Sequence, residues 1–133
     1  MKTDYARRAR SLVGTRFRPQ GRTPQFGLDC LGLVLRAFDL PDDQVRRDYR
    51  LRGDHRTELM RGLEVLFRRV PATQRRAGDV AVFEVARDQL HLAILTKDGF
   101  VHADARLGKV VETPGAAPWP FEAVFRRRSR GRA

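Results

Sequence analysis

Apolar residues at Leu31, Val34, Leu35 and Phe38 recur at the i, i+3, i+4, i+7 spacing that buries one face of a helix. That helix opens at Cys30 behind Asp29, a good N-cap, and Gly27 can end the extended segment before it. It stops near Asp39, ahead of Pro41. An earlier helix, capped by Thr3 or Asp4, carries Tyr5, Ala9, Leu12 and Val13 on one face and ends at Gly14. A later one starts near Thr57, buries Leu59, Leu63, Leu66, Phe67 and Val70, and ends at Pro71. From Gly78 the period changes. Segments 79–85, 90–96, 100–103, 109–113 and 121–126 are rich in Val, Phe, Ile and Leu and read as strands. Arg87-Asp88, Asp98-Gly99 and Leu107-Gly108 are the turns. Helices come first and strands follow with connections too short for helical crossovers. The pattern predicts an α+β fold with the helices packed on one face of an antiparallel sheet.

Two stretches break the pattern. The loop from Thr15 to Leu28, with Pro19, Gly21, Pro24 and Gly27, runs straight into Cys30 and is expected to wall any site there. The segment from Pro41 to Arg56 is charged and gives no clear period.

A chain of 133 residues fits one domain, 1–133, without repeats or a linker. No apolar run is long enough to cross a bilayer. The N-terminus has basic residues but no apolar core of a secretory signal. The chain is therefore expected to be made in the cytoplasm and to need a carrier for any work elsewhere. One cysteine rules out an internal disulfide and the usual zinc cages, and no cofactor is indicated. The formal net charge of +11 predicts attraction to polyanions, whether nucleic acid, anionic wall polymers or acidic membranes. It does not choose among them. The run from Arg126 to the C-terminus, 126–133, reads as a solvated basic tail.

Cys30 sits where the unpaired N–H groups and dipole of a helix favour an anion, so its thiol pKa is expected to fall, as in a prepared nucleophile. The bland alternative is a buried structural thiol. Two of the three histidines lie in adjacent predicted strands, His91 in Leu90-His91-Leu92 and His102 in Val101-His102-Ala103. A cysteine hydrolase needs a base for the thiol proton and a group that orients the base. His91 fits the first role and His102 the second; His55 is assigned to the surface. With Asp98-Gly99 as a two-residue hairpin turn, Leu95 faces His102 and His91 shares their face. Parity supports a relay, but four residues separate His91 from Leu95, roughly 13 Å at ~3.3 Å per residue. Direct contact between the rings then requires a bulge, coiling or a different turn.

Asp29-Cys30-Leu31-Gly32-Leu33-Val34 resembles the DCSGLV motif of the NlpC/P60 cysteine peptidases. Gly14-Thr15-Arg16-Phe17-Arg18 is similar to that family's G-T-P-Y-R segment. Ala77-Gly78-Asp79-Val80-Ala81-Val82-Phe83 resembles its P-G-D-L-V-F-F strand. His91-Leu92-Ala93-Ile94-Leu95 resembles H-V-G-I-Y, and Phe100-Val101-His102-Ala103 resembles F-V-H-A. The matches occur in family order over most of the chain. The resemblance implies a papain-like fold, a Cys30–His91–His102 triad, and cleavage of peptidoglycan stem peptides, often between D-glutamate and diaminopimelate. It implies that the Cys30 backbone N–H binds the oxyanion and that Asp29 receives a free substrate amine. Phe17 replaces a Tyr and Leu31 a Ser at positions that contact substrate in the family, and the Gly-Gly pattern before the cysteine is altered. Short, bare members occur in phage tails and gene transfer agents, and segment 110–126 resembles their C-terminal part. Such a particle would carry the enzyme to the cell wall. Two other readings stay open. One is a related amidase, deamidase or acyltransferase, motivated by Phe17 and Leu31. The other is a non-catalytic basic module binding nucleic acid or a tail partner, motivated by the charge.

Overall fold

The structure, a computed structural model, describes residues 3–41 and 55–128. The segment 42–54, the side chain of His55 with its surface assignment, and the tail after Arg128 lie outside the described residues. Asp4 caps helix α1 (Tyr5–Arg10) by accepting the Arg7 N–H at 3.0 Å. Ala6 and Ala9 turn inward, while Val13, expected on the same face, lies beyond the helix and is exposed. The following loop forms a two-stranded ladder, β1 (Arg22–Thr23) with β2 (Gly27–Leu28), immediately before helix α2 (Cys30–Ala37). The ladder lies so close to α2 that a Cβ on Gly32 would meet the Gly21 carbonyl oxygen. Only glycine lets these two backbones touch.

Helix α3 (His55–Leu66) ends earlier than its apolar period suggests. The next residues form strand β3 (Phe67–Val70), paired with the last strand. Phe67 and Val70 stay buried, so their burial followed the sequence period although their backbone did not. The free edge of the last strand accepts a ladder partner, and Pro71 bars any longer helix. Tertiary pairing overrides local periodicity here.

Strands β4 (Val80–Ala86), β5 (Gln89–Leu95), β6 (Gly99–Asp104) and β7 (Lys109–Pro114) form a meander. β8 (Phe121–Arg127) returns to the far side of β4, giving an antiparallel sheet of order β3-β8-β4-β5-β6-β7. The strand runs one residue past the expected 121–126, so Arg127, read from sequence with the tail alone, belongs to it. Arg126 closes a two-pronged ion pair on the buried Asp79, Nε to Oδ1 and Nη2 to Oδ2, each at 2.8 Å.

The fold is the expected α+β layering. The inward sheet face, with Val80, Val82, Leu92, Ile94, Val101 and Phe125, packs on α2 and on Leu59 and Leu63 of α3. The outward face carries a second cluster of Phe83, Ala93, Leu95 and Phe100, covered by Trp119 and Phe121. The site is built where the head of α2 meets β5.

Candidate active site

Cys30 is the first residue of α2, and Asp29 caps the helix by accepting the Gly32 N–H at 2.8 Å. The helix start read from sequence is therefore in place. The electrostatic expectation is not met. Cys30 is only 5% exposed, and burial, reinforced by the Asp29 carboxylate, pushes its thiol up to about 12. Hydrogen bonding from the Leu92 and Leu31 backbones and the Arg22 charge oppose this but do not win. Sequence supplied the helix dipole, but the depth of the sulfur was not visible in it. The Leu92 contact locates the sulfur against β5, beside the residue that follows His91.

His91 Nε2 and His102 Nδ1 are 2.8 Å apart, a hydrogen bond between the two imidazoles. The spacing problem is solved by the turn. Leu95 pairs with Phe100, not His102, so the loop holds Thr96 to Gly99 and the register moves by two residues. His102 then lies diagonally across from His91 on the same face. β5 and β6 pair at Ile94–Val101 and Leu95–Phe100, and the histidine pair spans the strands past the last of these rungs.

The contacts of the histidine pair extend further than the sequence indicated. Thr113 Oγ1 on β7 lies 3.4 Å from His102 Nε2. Trp119 lies edge-on to both rings, with centroids 5.7 Å from His91 and 6.2 Å from His102. Thr113 carried no sequence signal beyond its place on the next strand. Trp119 was noted only as part of the C-terminal segment.

Burial, then the neighbouring His102, pushes His91 down to about 4. His102 is also lowered by burial, while Asp104 pulls both rings back up. At neutral pH the thiol is therefore protonated and both imidazoles are uncharged. Among the described residues no hydrogen bond joins Cys30 Sγ to either ring. Such contacts often tighten only when substrate is bound.

The lowered His91 has a consequence for stability. The unfolded ring binds its proton near pH 6.5, the folded ring only near pH 4. Stability is therefore complete above about pH 6.5 and is lost as pH falls toward 4, by up to about 3 kcal/mol for His91. Urea unfolding at pH 7 and pH 4.5 should show the drop, and His91→Gln should reduce it.

The three expected substrate contacts fare differently. Leu31 is 2% exposed and its side chain is part of the main core. Its place in the helix period, together with Val34 and Leu35, was the better guide. Phe17 packs half-buried on the cluster that includes Cys30. Asp29 already accepts three hydrogen bonds within the chain. Oδ1 takes Gly32 N–H and Arg22 Nη1, and Oδ2 takes the Gln20 N–H at 3.0 Å. Oδ2 keeps one acceptor position, and the side chain is 21% exposed.

Residues 14–124 match the model of the NlpC/P60 family. Among solved structures, the chain resembles the peptidoglycan hydrolase RipB from Mycobacterium tuberculosis, with 23% identity and a TM-score of 0.60. That match covers 95% of this chain and 64% of the RipB chain, so the chain spans just under two thirds of RipB. The P60 domain of an antigen from M. avium subspecies paratuberculosis gives 21% identity and a TM-score of 0.58, covering 93% of this chain and 91% of that one. An NLP/P60-family protein similar to a lipoprotein, from Staphylococcus aureus, gives 16% identity and a TM-score of 0.57, covering 96% and 41%. At these identities the likeness speaks for the fold. A search of curated proteins found no match.

Proposed function

The chain belongs to the NlpC/P60 family, and on that premise we propose that it is a cysteine peptidase hydrolysing amide bonds in peptidoglycan stem peptides. The observation that carries this reading is the His91–His102 hydrogen bond of 2.8 Å beside the strand backbone that holds the Cys30 sulfur.

The paired rings support one proton inventory for this reaction. With Nε2 of His91 donating to His102 Nδ1, the lone pair on His91 Nδ1 is left for the thiol proton. His102 then carries its own proton on Nε2, where Thr113 Oγ1 accepts it. Because the resting pair is uncharged, proton transfer accompanies attack instead of preceding it. The sulfur bonds to the scissile carbonyl carbon as His91 takes its proton. The oxyanion is held by the Cys30 backbone N–H, in the first helical turn where no carbonyl precedes it. His91 returns the proton to the leaving amine, and a thioester remains on Cys30. Water, deprotonated by His91, then releases the acid and restores the thiol.

Delivery by a tail or transfer particle rests on the sequence resemblance of the C-terminal segment alone. The test of activity is incubation with defined stem peptides and identification of products by mass spectrometry. Hydrolysis at one amide is expected. Intact peptide after prolonged incubation would favour an amidase, deamidase or acyltransferase acting elsewhere.

A further inference from the structure

The charge made during attack has no contacting counterion. When His91 takes the thiol proton, a positive charge forms on a ring pair whose further partner, Thr113, is neutral. His102 is 5% exposed. Phe100 and Trp119 lie beside its ring, at 4.9 and 6.2 Å between centroids. A cation in such surroundings is costly unless a negative charge lies near it. Among the described residues no carboxylate is hydrogen-bonded to either ring.

Asp104 stands two residues after His102 on β6, so strand alternation brings both side chains to one face. Its Oδ1 is held by the Arg106 and Leu107 N–H groups, at 2.8 and 3.1 Å. Among the described residues it makes no ion pair. Its charge favours the protonated form of both rings. The other charged neighbours cancel or oppose it. On β4, Glu84 is paired with Arg56 at 3.4 Å, and at the head of α2 Asp29 is paired with Arg22 at 2.9 Å. The turns on either side of β5 hold Arg87 with Asp88 and Lys97 with Asp98. From β7, Lys109 pairs across from Asp104, and Arg16 bridges to Lys109. We infer that Asp104 is a positioning residue for the reaction, the counter-charge of the His91–His102 pair, acting through space without a hydrogen bond to either ring. Its effect on rate rests on the peptidase reading; its field at the rings does not.

Asp104→Asn keeps an oxygen for the two turn amides and removes the charge. The chain holds three histidines, so in a His55→Gln background only the paired rings report in a proton NMR titration. With Asp104→Asn both rings should titrate roughly 0.5 to 1 pH unit lower. The kcat/KM for a defined stem peptide should fall roughly threefold to tenfold, because the imidazolium is less well stabilised. Asp104→Glu, which keeps the charge, should restore most of both. Asp104→Ser, also uncharged and able to hold the turn, takes its place if Asp104→Asn fails to fold by circular dichroism. A merely structural residue would lower the melting temperature and the folded fraction without moving the titrations. Lowered titrations without any cleavage by wild type would uphold the counter-charge and sink the peptidase reading. Titrations unmoved in the uncharged variants, a rate unchanged while the titrations move, or no rescue by Asp104→Glu would overturn the role of Asp104.

Discussion

Replacing Cys30 by alanine is expected to leave a folded protein that cleaves stem peptides at least about 10⁴-fold more slowly. The prediction is large because the reaction has one candidate nucleophile, and the chain holds one cysteine. His91→Ala should cost a similar factor. In the proposed mechanism the buried thiol, pushed up to about 12, gives its proton to His91 during attack, so removing that base removes the thiolate. His102→Ala should cost less, between about 10² and 10⁴, since it acts by holding the His91 ring and tautomer. The ordering separates chemistry from folding. A purely structural pair would lose stability together, and activity would follow the folded fraction. Steady-state kinetics beside urea unfolding of the same variants reads both. Loss of only a few fold in Cys30→Ala would end the account of the nucleophile.

Asp79→Ala is the second large effect, and it acts on the fold. Asp79 is 1% exposed. Its carboxylate takes two hydrogen bonds from Arg126, at 2.8 Å each, and the Arg76 N–H at 2.9 Å. Removing one member of a buried pair leaves the other charge uncompensated, which costs about 3–5 kcal/mol. A domain of this size is stable by only about 5–15 kcal/mol, so the variant should melt roughly 10–15 °C lower. The same change at the solvated pair Arg10–Glu112, where Arg10 is 60% exposed, should cost under about 1 kcal/mol. Thermal unfolding of Asp79→Ala and Glu112→Ala gives the contrast. Equal losses would mean that the Asp79 cluster does not pin β8 to the start of β4.

The sequence carried the layering well, because periodicity reports which face is buried whatever the backbone does. Phe67 and Val70 show both the strength and the limit. Their burial was legible, but their strand was not, since the ladder partner lies at the far end of the chain. The histidine pair was legible by parity. Its contact depended on a turn two residues longer than the Asp98-Gly99 signal suggested, and turn length is set by how the strands coil as much as by local residues. The thiol was placed correctly at a helix head and given the wrong electrostatic sign. A helix dipole is local, whereas desolvation depends on everything packed above it. Arg22 left no mark in the sequence. Its pairing with Asp29 exists only once β1 folds back on α2.

A neutral resting thiol also sets the most direct test. Iodoacetamide modification of the native protein, followed by intact mass, gives the fraction carrying one adduct, necessarily on the single cysteine. Residual cleavage of stem peptide is measured on the same samples. Activity should fall in direct proportion to the modified fraction, with a modification rate still rising above pH 8 and no plateau near neutrality. Full cleavage by a completely modified sample would contradict the claim that Cys30 carries the reaction.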